Sequence, residues 1–135
     1  MSASVSSSAR LSVLAVAYAG GPEQVSAVRA DLRKLLDGCP VGDEAILCGS
    51  ELAANAALHS DSRLPGGSFT VRTEVCPGDC VRIEVEDGGG PWIEAAPDPD
   101  RGHGLDIVRA LASAWGVDGG RYRRIVWARI AWPDA

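Results

Sequence analysis

The sequence lacks any hydrophobic run long enough to cross a membrane. Its first apolar stretch, Leu11 to Val16, is far shorter than the roughly 20 residues of a membrane span. The same stretch falls at or below the roughly 7–15 apolar residues of a secretory signal, and no Lys or Arg precedes it between Met1 and Ala9. We therefore predict that Leu11 to Tyr18 forms a strand, and that the protein is cytoplasmic with no membrane partner.

The sequence also lacks an excess of positive charge. Its 18 acidic residues outnumber the 13 Lys and Arg residues, which gives a formal net charge of -5. No overall positive field therefore favours nucleic acid or anionic lipid, and we expect no direct nucleic-acid partner. A chain of 135 residues with 46% hydrophobic and 23% charged residues is typical of one globular domain. We predict a Ser- and Ala-rich disordered tail over residues 1–9 and a single domain over residues 10–135.

Cysteine is sparse, and its four cysteines are an even number that could indicate a disulfide framework. Neither a Cys-x-x-Cys motif nor a His partner at zinc spacing is present. A domain of this length has enough core to fold without disulfides, so free thiols are the expected state. Cys76 and Cys80 flank the turn signal Pro77-Gly78-Asp79, so they would face each other across a hairpin, where a cross-link or a shared metal is the alternative.

Hydrophobic periodicity predicts three helices and four or five strands. Leu105, Val108, Leu111, Ala112 and Trp115 follow a helical spacing. The predicted elements are strand 11–18, helix 23–36, helix 43–59 with Asp43 as N-cap, hairpin strands 68–75 and 81–87, a helix from 105, a short strand near Val117, and strand 125–132. Residues 88–101 read as a loop rich in Gly, Pro and Asp, and as a candidate lid. We expect an α+β two-layer sandwich, a mixed, mainly antiparallel sheet covered on one face by three helices.

A polar stripe interrupts the second predicted helix. In the segment ELAANAALHS, Glu51, Asn55 and His59 are four residues apart and share one helix face with Leu47 and Leu58. A solvated face would keep polar groups apart from leucines, so the stripe indicates a partner, a metal or a wet cavity. The alternative is a helix of small residues whose polar side chains reach solvent at an edge.

Two further segments carry glycine next to polar residues. Alternation along Val81 to Asp87 places Asp87 at the end of the buried face, and three glycines follow it, although a strand-ending turn has the same composition. Gly102 and Gly104 precede the third helix, whose start suits an anion such as phosphate. The third glycine of a dinucleotide-binding Gly-x-Gly-x-x-Gly motif is absent, because Ile107 occupies that position. No Ser/His/Asp arrangement indicates a hydrolytic triad.

In this order, the three segments resemble the motifs of the histidine-kinase-like ATPase superfamily, which has the Bergerat ATP-binding fold. The pattern Glu-Leu-x-x-Asn-Ala-x-x-His, the early Pro91, the Gly-x-Gly-Leu-x-x-Val-x-x-Leu-Ala helix and the terminal Val126-Trp127 are most similar to anti-sigma-factor serine kinases of actinobacterial type. The resemblance extends from about Leu11 to Trp132. Its motifs are specific together and weak singly.

The resemblance implies a role for each matching residue. Asn55 would bind Mg²⁺ beside the phosphates of ATP, and Glu51 would be the general base that accepts the proton of an attacking hydroxyl. Asp87 would accept a hydrogen bond from the adenine amino group. The other implied contacts are Gly89 at the base, Gly102, Gly104 and Leu105 at the nucleotide, and Arg101 and His103 as phosphate or lid contacts.

The resemblance also implies a function and partners. An anti-sigma-factor serine kinase transfers the γ-phosphoryl group of ATP to a serine of a STAS-domain anti-anti-sigma protein and sequesters a sigma factor, and a homodimer is a further implied assembly. A nucleotide-binding interaction module without transfer activity is the alternative. Two departures bear on nucleotide retention: the lid between Pro91 and Arg101 is short, and Arg123-Arg124 stands where relatives often carry Gly-Lys.

Overall fold

The computed structural model describes residues 12–59, 67–88, 104–119 and 123–133 of the chain. In chain order its elements are β1 Ser12–Ala19, α1 Gln24–Leu35, α2 Gly42–His59, β2 Ser68–Cys76, β3 Cys80–Asp87, α3 Gly104–Leu111, β4 Ala114–Gly119 and β5 Arg124–Ala131. The predicted tail, and the candidate lid beyond Gly88, lie outside the described residues. None of the helices in the described ranges is long and apolar enough to cross a membrane.

The five strands form one sheet in the order β1-β2-β3-β5-β4, and every neighbouring pair is antiparallel. The predicted hairpin of β2 and β3 lies at its centre, with Val71 opposite Val85. On the other side of β3, Val85 lies opposite Val126 of β5. The three strands therefore align β-branched residues across the middle of the sheet, which is the pairing that stabilises a pleated, half-buried surface.

One face of the sheet is covered by the helices. Alternate residues of β3 are buried and belong to the hydrophobic core, namely Val81, Ile83 and Val85. Helix α2 contacts β2, β3 and β5, whereas α1 lies between α2 and β1, and α3 contacts α2. The predicted α+β two-layer architecture, with three helices on one face of a mainly antiparallel sheet, is confirmed, and the described strand pairs are all antiparallel where a mixed sheet was expected.

Small residues line the side of helix α2 that packs on the sheet. Its buried positions include Ala45, Ala53, Ala56 and Ala57. A Cβ atom added to Gly49 would lie 2.7 Å from Leu32 Cδ1 of α1 and 3.2 Å from Ile83 Cδ1 of β3. Glycine is therefore required where α1, α2 and β3 meet, since even one methyl group has no room there.

The predicted boundaries shift in two places. Helix α2 begins at Gly42 because the Ala45 N–H already donates to the Val41 carbonyl over 2.9 Å, so Asp43 lies in the first turn and not at the N-cap. Helix α3 ends at Leu111, and Trp115 lies in β4. The predicted extension of α3 to Trp115 is wrong because the Ser113 N–H donates to the Arg129 carbonyl over 2.7 Å, and the chain then pairs with β5. The short strand near Val117 is confirmed.

Candidate functional site

The predicted polar stripe lies on α2 among core residues. Glu51 and Asn55 are both half-buried, while their neighbours Leu52 and Ala56 are each 1% exposed. One helical turn, about 6 Å, separates the two polar positions along the helix axis. Helix α2 therefore carries two half-buried polar side chains next to buried apolar ones. His59 ends the helix, and its side chain lies outside the described part of the structure.

Asn55 carries a buried polar atom without a partner. Its side-chain Nδ2 is inaccessible to solvent and forms no hydrogen bond, the only such nitrogen or oxygen among the side chains that the structure describes. A buried donor left without an acceptor costs about 1–3 kcal/mol. Native structures rarely leave such a donor unpaired, so Asn55 stands out among the described polar residues.

The environment beside Glu51 is poor in water and negative. Burial, together with the carboxylates of Glu44 and Glu51, raises the pKa of the neighbouring Cys48 thiol to about 11. Cys48 is completely buried and stays protonated at neutral pH. The thiol is therefore a core group and not a nucleophile, which leaves the Glu44 and Glu51 carboxylates and the Asn55 amide as polar groups of this helix face.

Asp87 ends the covered face of β3, as predicted, and there it forms a buried ion pair that the sequence reasoning missed. Arg124 of β5 lies directly opposite Asp87 in the sheet register. Its Nη2 and Nε both donate to Asp87 Oδ2, over 2.8 Å and 3.2 Å. The two side chains are only 6% and 1% exposed, for Arg124 and Asp87 respectively. A pair this deeply buried is costly to break from one side.

The signal for Arg124 was present in the alternation of β5. Four alternate residues of this strand are buried, Arg124, Val126, Ala128 and Ile130. Extending the period of two backwards from Ile130 places Arg124 on the covered face, level with the end of β3. At this end of the sheet, the covered face of β3 therefore ends in an acidic residue, and the covered face of β5 begins with a basic one. Any ligand that bonds to Asp87 has to share that carboxylate with Arg124 or displace the guanidinium.

A second ion pair lies beside the first on the opposite side of β3. Arg123 Nε donates to Glu86 Oε2 over 2.8 Å, and Nη2 donates to Oε1 over 3.2 Å. The hydrogen bond from Arg123 lowers the pKa of Glu86 below its ordinary value. Glu86, Asp87 and Arg123 also line a cleft of about 280 Å³ at this end of the sheet. The cleft is close to the lower limit, about 300 Å³, of small-molecule sites.

Of the remaining residues predicted to contact the nucleotide, the structure describes Gly104 and Leu105. Gly104 begins α3 and the half-buried Leu105 follows it. Gly89, Arg101, Gly102 and His103 lie outside the described residues. Helix α2 contacts both β3 and α3, so the elements that carry Asn55, Asp87 and Gly104 belong to one continuous packing unit.

Among solved structures, the chain is similar to the histidine kinase domain from Erythrobacter litoralis EL346 blue-light activated histidine kinase. The two share 22% sequence identity with a TM-score of 0.55, and the match covers 82% of this chain and 60% of that chain. At this identity the likeness shows the fold, which is that of a histidine kinase domain. No protein-family model matches the chain, and neither does any curated protein.

Proposed function

We propose that this protein is an ATP-binding regulator similar to anti-sigma-factor serine kinases. In this proposal it transfers the γ-phosphoryl group of ATP to a serine of a STAS-domain protein and sequesters a sigma factor. The observation that carries the proposal is the unpaired, buried Nδ2 of Asn55 on a half-buried polar stripe. The fold of a histidine kinase domain supports it, since the stripe occupies the helix that packs on the sheet.

The donor set on α2 fits a magnesium nucleotide. An amide offers both an oxygen, which suits Mg²⁺, and an N–H group, which suits a phosphate oxygen. Bound Mg·ATP would supply the transferable phosphoryl group and the acceptor that Asn55 lacks. Glu51, one turn earlier on the same face, would accept the proton of the attacking serine hydroxyl. The backbone N–H groups at the start of α3, from Gly104, would face the phosphates.

A second candidate function is a nucleotide-binding interaction module without transfer activity. The Asp87–Arg124 ion pair bears on both candidates, because the carboxylate proposed to bind adenine already accepts two hydrogen bonds from a buried guanidinium. Adenine recognition then has to compete with Arg124, which lowers affinity for the nucleotide. In this candidate, Glu51 is a surface contact for a partner and not a base.

Calorimetric titration with Mg·ATP tests the binding site through Asn55→Ala. We expect the variant to lose at least about tenfold in ATP affinity, since it removes one hydrogen bond to a charged group worth about 1.5–3 kcal/mol. Its free energy of unfolding should fall by less than an ordinary buried Asn→Ala change, because no protein hydrogen bond of Nδ2 is lost. Asp43→Asn, an exposed position in the first turn of the same helix, is the matched control. Equal ATP affinity in Asn55→Ala and in the wild type would contradict the site.

Phosphoryl transfer to a STAS-domain protein separates the two candidates. Glu51→Gln keeps the size of the side chain and removes its basic carboxylate. We expect ATP affinity to stay within a few-fold and transfer to fall by about 10²–10⁴-fold, the usual contribution of a positioned base. Transfer at the wild-type rate in this variant shows that Glu51 is not the base. ATP binding without any transfer in the wild type favours the interaction module.

A further inference from the structure

The turn between β2 and β3 brings two thiols and a carboxylate together, far from the proposed nucleotide site. The ligand atoms of Cys76, Asp79 and Cys80 all lie within 4.8 Å of one another. Cys80 begins β3 and Asp87 ends it, so the turn lies about 24 Å from the Asp87 end of that strand. Whatever this cluster does, it does not share groups with the site on α2.

The backbone of the turn holds this cluster in place without any ligand. Cys76 and Cys80 are partners in the sheet register, and the Asp79 N–H donates to the Cys76 carbonyl over 2.9 Å. Gly78 has a φ of 81°, the left-handed conformation that lets three residues close the hairpin. The Trp132 N–H donates to the Asp79 carbonyl over 2.9 Å, which ties the turn to the chain after β5. A site whose backbone is fixed in advance loses little entropy on binding.

The chemistry of the three ligands matches zinc and similar soft divalent metals. Two cysteines separated by three residues fall within the Cys-x₂₋₄-Cys spacing of zinc ligands, and a carboxylate is an accepted third ligand. Tetrahedral zinc with bonds of about 2.0–2.3 Å separates its ligand atoms by roughly 3.3–3.8 Å. A movement of the ligand atoms by about 1 Å, through rotation of the side chains, is therefore enough to close the cluster around an ion. Both cysteines are free thiols in the structure.

The charges around the cluster are compatible with one divalent cation. Arg129 Nη2 donates to Asp79 Oδ1 over 3.0 Å, so the guanidinium already orients the carboxylate. Two thiolates, one carboxylate, Arg129 and a divalent ion sum to zero charge. Burial raises the pKa of the Cys80 thiol, the nearby Arg129 lowers it, and Cys76 and Asp79 raise it. Binding of a metal releases both thiol protons to solvent, because the thiolate is the ligand form.

We infer that Cys76, Asp79 and Cys80 form a binding site for one zinc-class divalent ion at the tip of the β2–β3 hairpin, with water completing its coordination. The sequence alone favours free thiols, because it contains no Cys-x-x-Cys motif and no histidine at zinc spacing. The hairpin replaces the histidine with the carboxylate of Asp79, which lies within the turn itself. Three protein ligands and one water are the arrangement of an exchangeable site, since a closed structural site has four protein ligands.

Titration of the reduced wild-type protein with Co²⁺ tests this inference, because cobalt bound to thiolates absorbs in a sulfur-to-metal charge-transfer band. We expect one Co²⁺ per chain and loss of the band when Zn²⁺ displaces it. Cys76→Ser should abolish the band, and Asp79→Asn should weaken metal binding by about 10–100-fold or more, the effect of losing even an outer-shell partner. Affinity should rise about 100-fold per pH unit below the thiol pKa values, since two protons leave per metal.

Cys39→Ser is the matched control, because Cys39 is a half-buried free thiol outside the turn. It should bind Co²⁺ like the wild type. Asp79 is exposed, so Asp79→Asn reports on the site even if Cys76→Ser impairs folding. The inference is overturned if fully reduced protein shows no charge-transfer band at millimolar Co²⁺. A band of wild-type strength in Cys76→Ser overturns it as well, since the metal then lies elsewhere.

Discussion

The two faces of β3 handle charge in opposite ways. On the face covered by the helices, three apolar residues are followed by Asp87, whose carboxylate is bonded to Arg124 where almost no solvent reaches. On the open face, the charged residues Arg82, Glu84 and Glu86 pair with one another or with neighbouring strands while remaining partly exposed. The same alternation therefore produces one deeply buried pair and a network that water can screen.

The difference teaches which charges the fold depends on. A buried carboxylate without its partner has lost its hydration and gains nothing in return. An exposed ion pair contributes little to stability, because water and dissolved salt screen the attraction between its two charges. Asp87 is therefore expected to dominate stability, while the open face tunes how stability depends on pH and salt.

Among the single substitutions that test this comparison, Asp87→Ala is expected to lower the free energy of unfolding most. Because it removes the carboxylate that accepts two hydrogen bonds from the buried Arg124 guanidinium, the free energy of unfolding should fall by about 3–5 kcal/mol. Urea denaturation measures the loss. Glu86→Ala, the next residue on the open face, is the control and should cost far less, since its partner Arg123 is exposed.

A double variant decides whether the charge itself is responsible. Replacing both members, as Asp87→Leu with Arg124→Met, removes both buried charges and should recover most of the stability lost in Asp87→Ala. If the double variant is as unstable as the single one, the effect comes from packing at the end of β3 and not from the ion pair. The contrast between the two faces would then fail.

Gly49→Ala tests how tightly the covered face is packed, without changing its charge. The added methyl group meets Leu32 at 2.7 Å inside the core, so overpacking should cost about 1–3 kcal/mol and exceed the gain of up to about 1 kcal/mol from replacing glycine in a helix. Differential scanning calorimetry measures the change. Leu32→Val in the same chain should relieve part of the loss, and simple additivity of the two substitutions would contradict direct contact.

Gly116→Ala is the open-face counterpart of that change. A Cβ atom there would lie 2.9 Å from the ring of Trp127, which Arg82 covers at 5.1 Å from the ring centroid. Because this ring is only half-buried, it has room to move towards solvent. The loss of stability should therefore be smaller than for Gly49→Ala, and a larger loss would show that the open face is as tightly packed as the covered one.

Sequence reasoning predicted what depends on local pattern and missed what depends on register. The alternation of β3 correctly placed Asp87 on the buried face, and helical spacing correctly placed Glu51 and Asn55 on one face of α2. Arg124 was missed as the partner of Asp87 because the two lie 37 residues apart and meet only through the β3–β5 register. Trp115 was predicted in a helix because its spacing from Leu111 is helical. Only the pairing of its segment with β5, which is distant in sequence, makes it part of a strand.

The smallest expected effect is a change in pH dependence on the open face. Glu84 accepts hydrogen bonds from Arg82 and, over 2.6 Å, from Arg72. Although burial raises its pKa, these hydrogen bonds outweigh burial and hold the pKa of Glu84 below its ordinary value of 4.5. The charged form is therefore favoured by folding, and its contribution is present above pH 4.5 and lost as the pH falls through the lowered pKa.

Glu84→Gln removes this contribution. Its free energy of unfolding should lie below that of the wild type by about 1 kcal/mol or less at neutral pH, and the two proteins should converge as the pH falls below 4.5. Urea denaturation across this range measures the convergence. At about 1 M salt, where the Debye length is roughly 3 Å, the difference at neutral pH should shrink. A difference that is constant with pH and salt would mean that Glu84 acts through packing, as the residues of the covered face do.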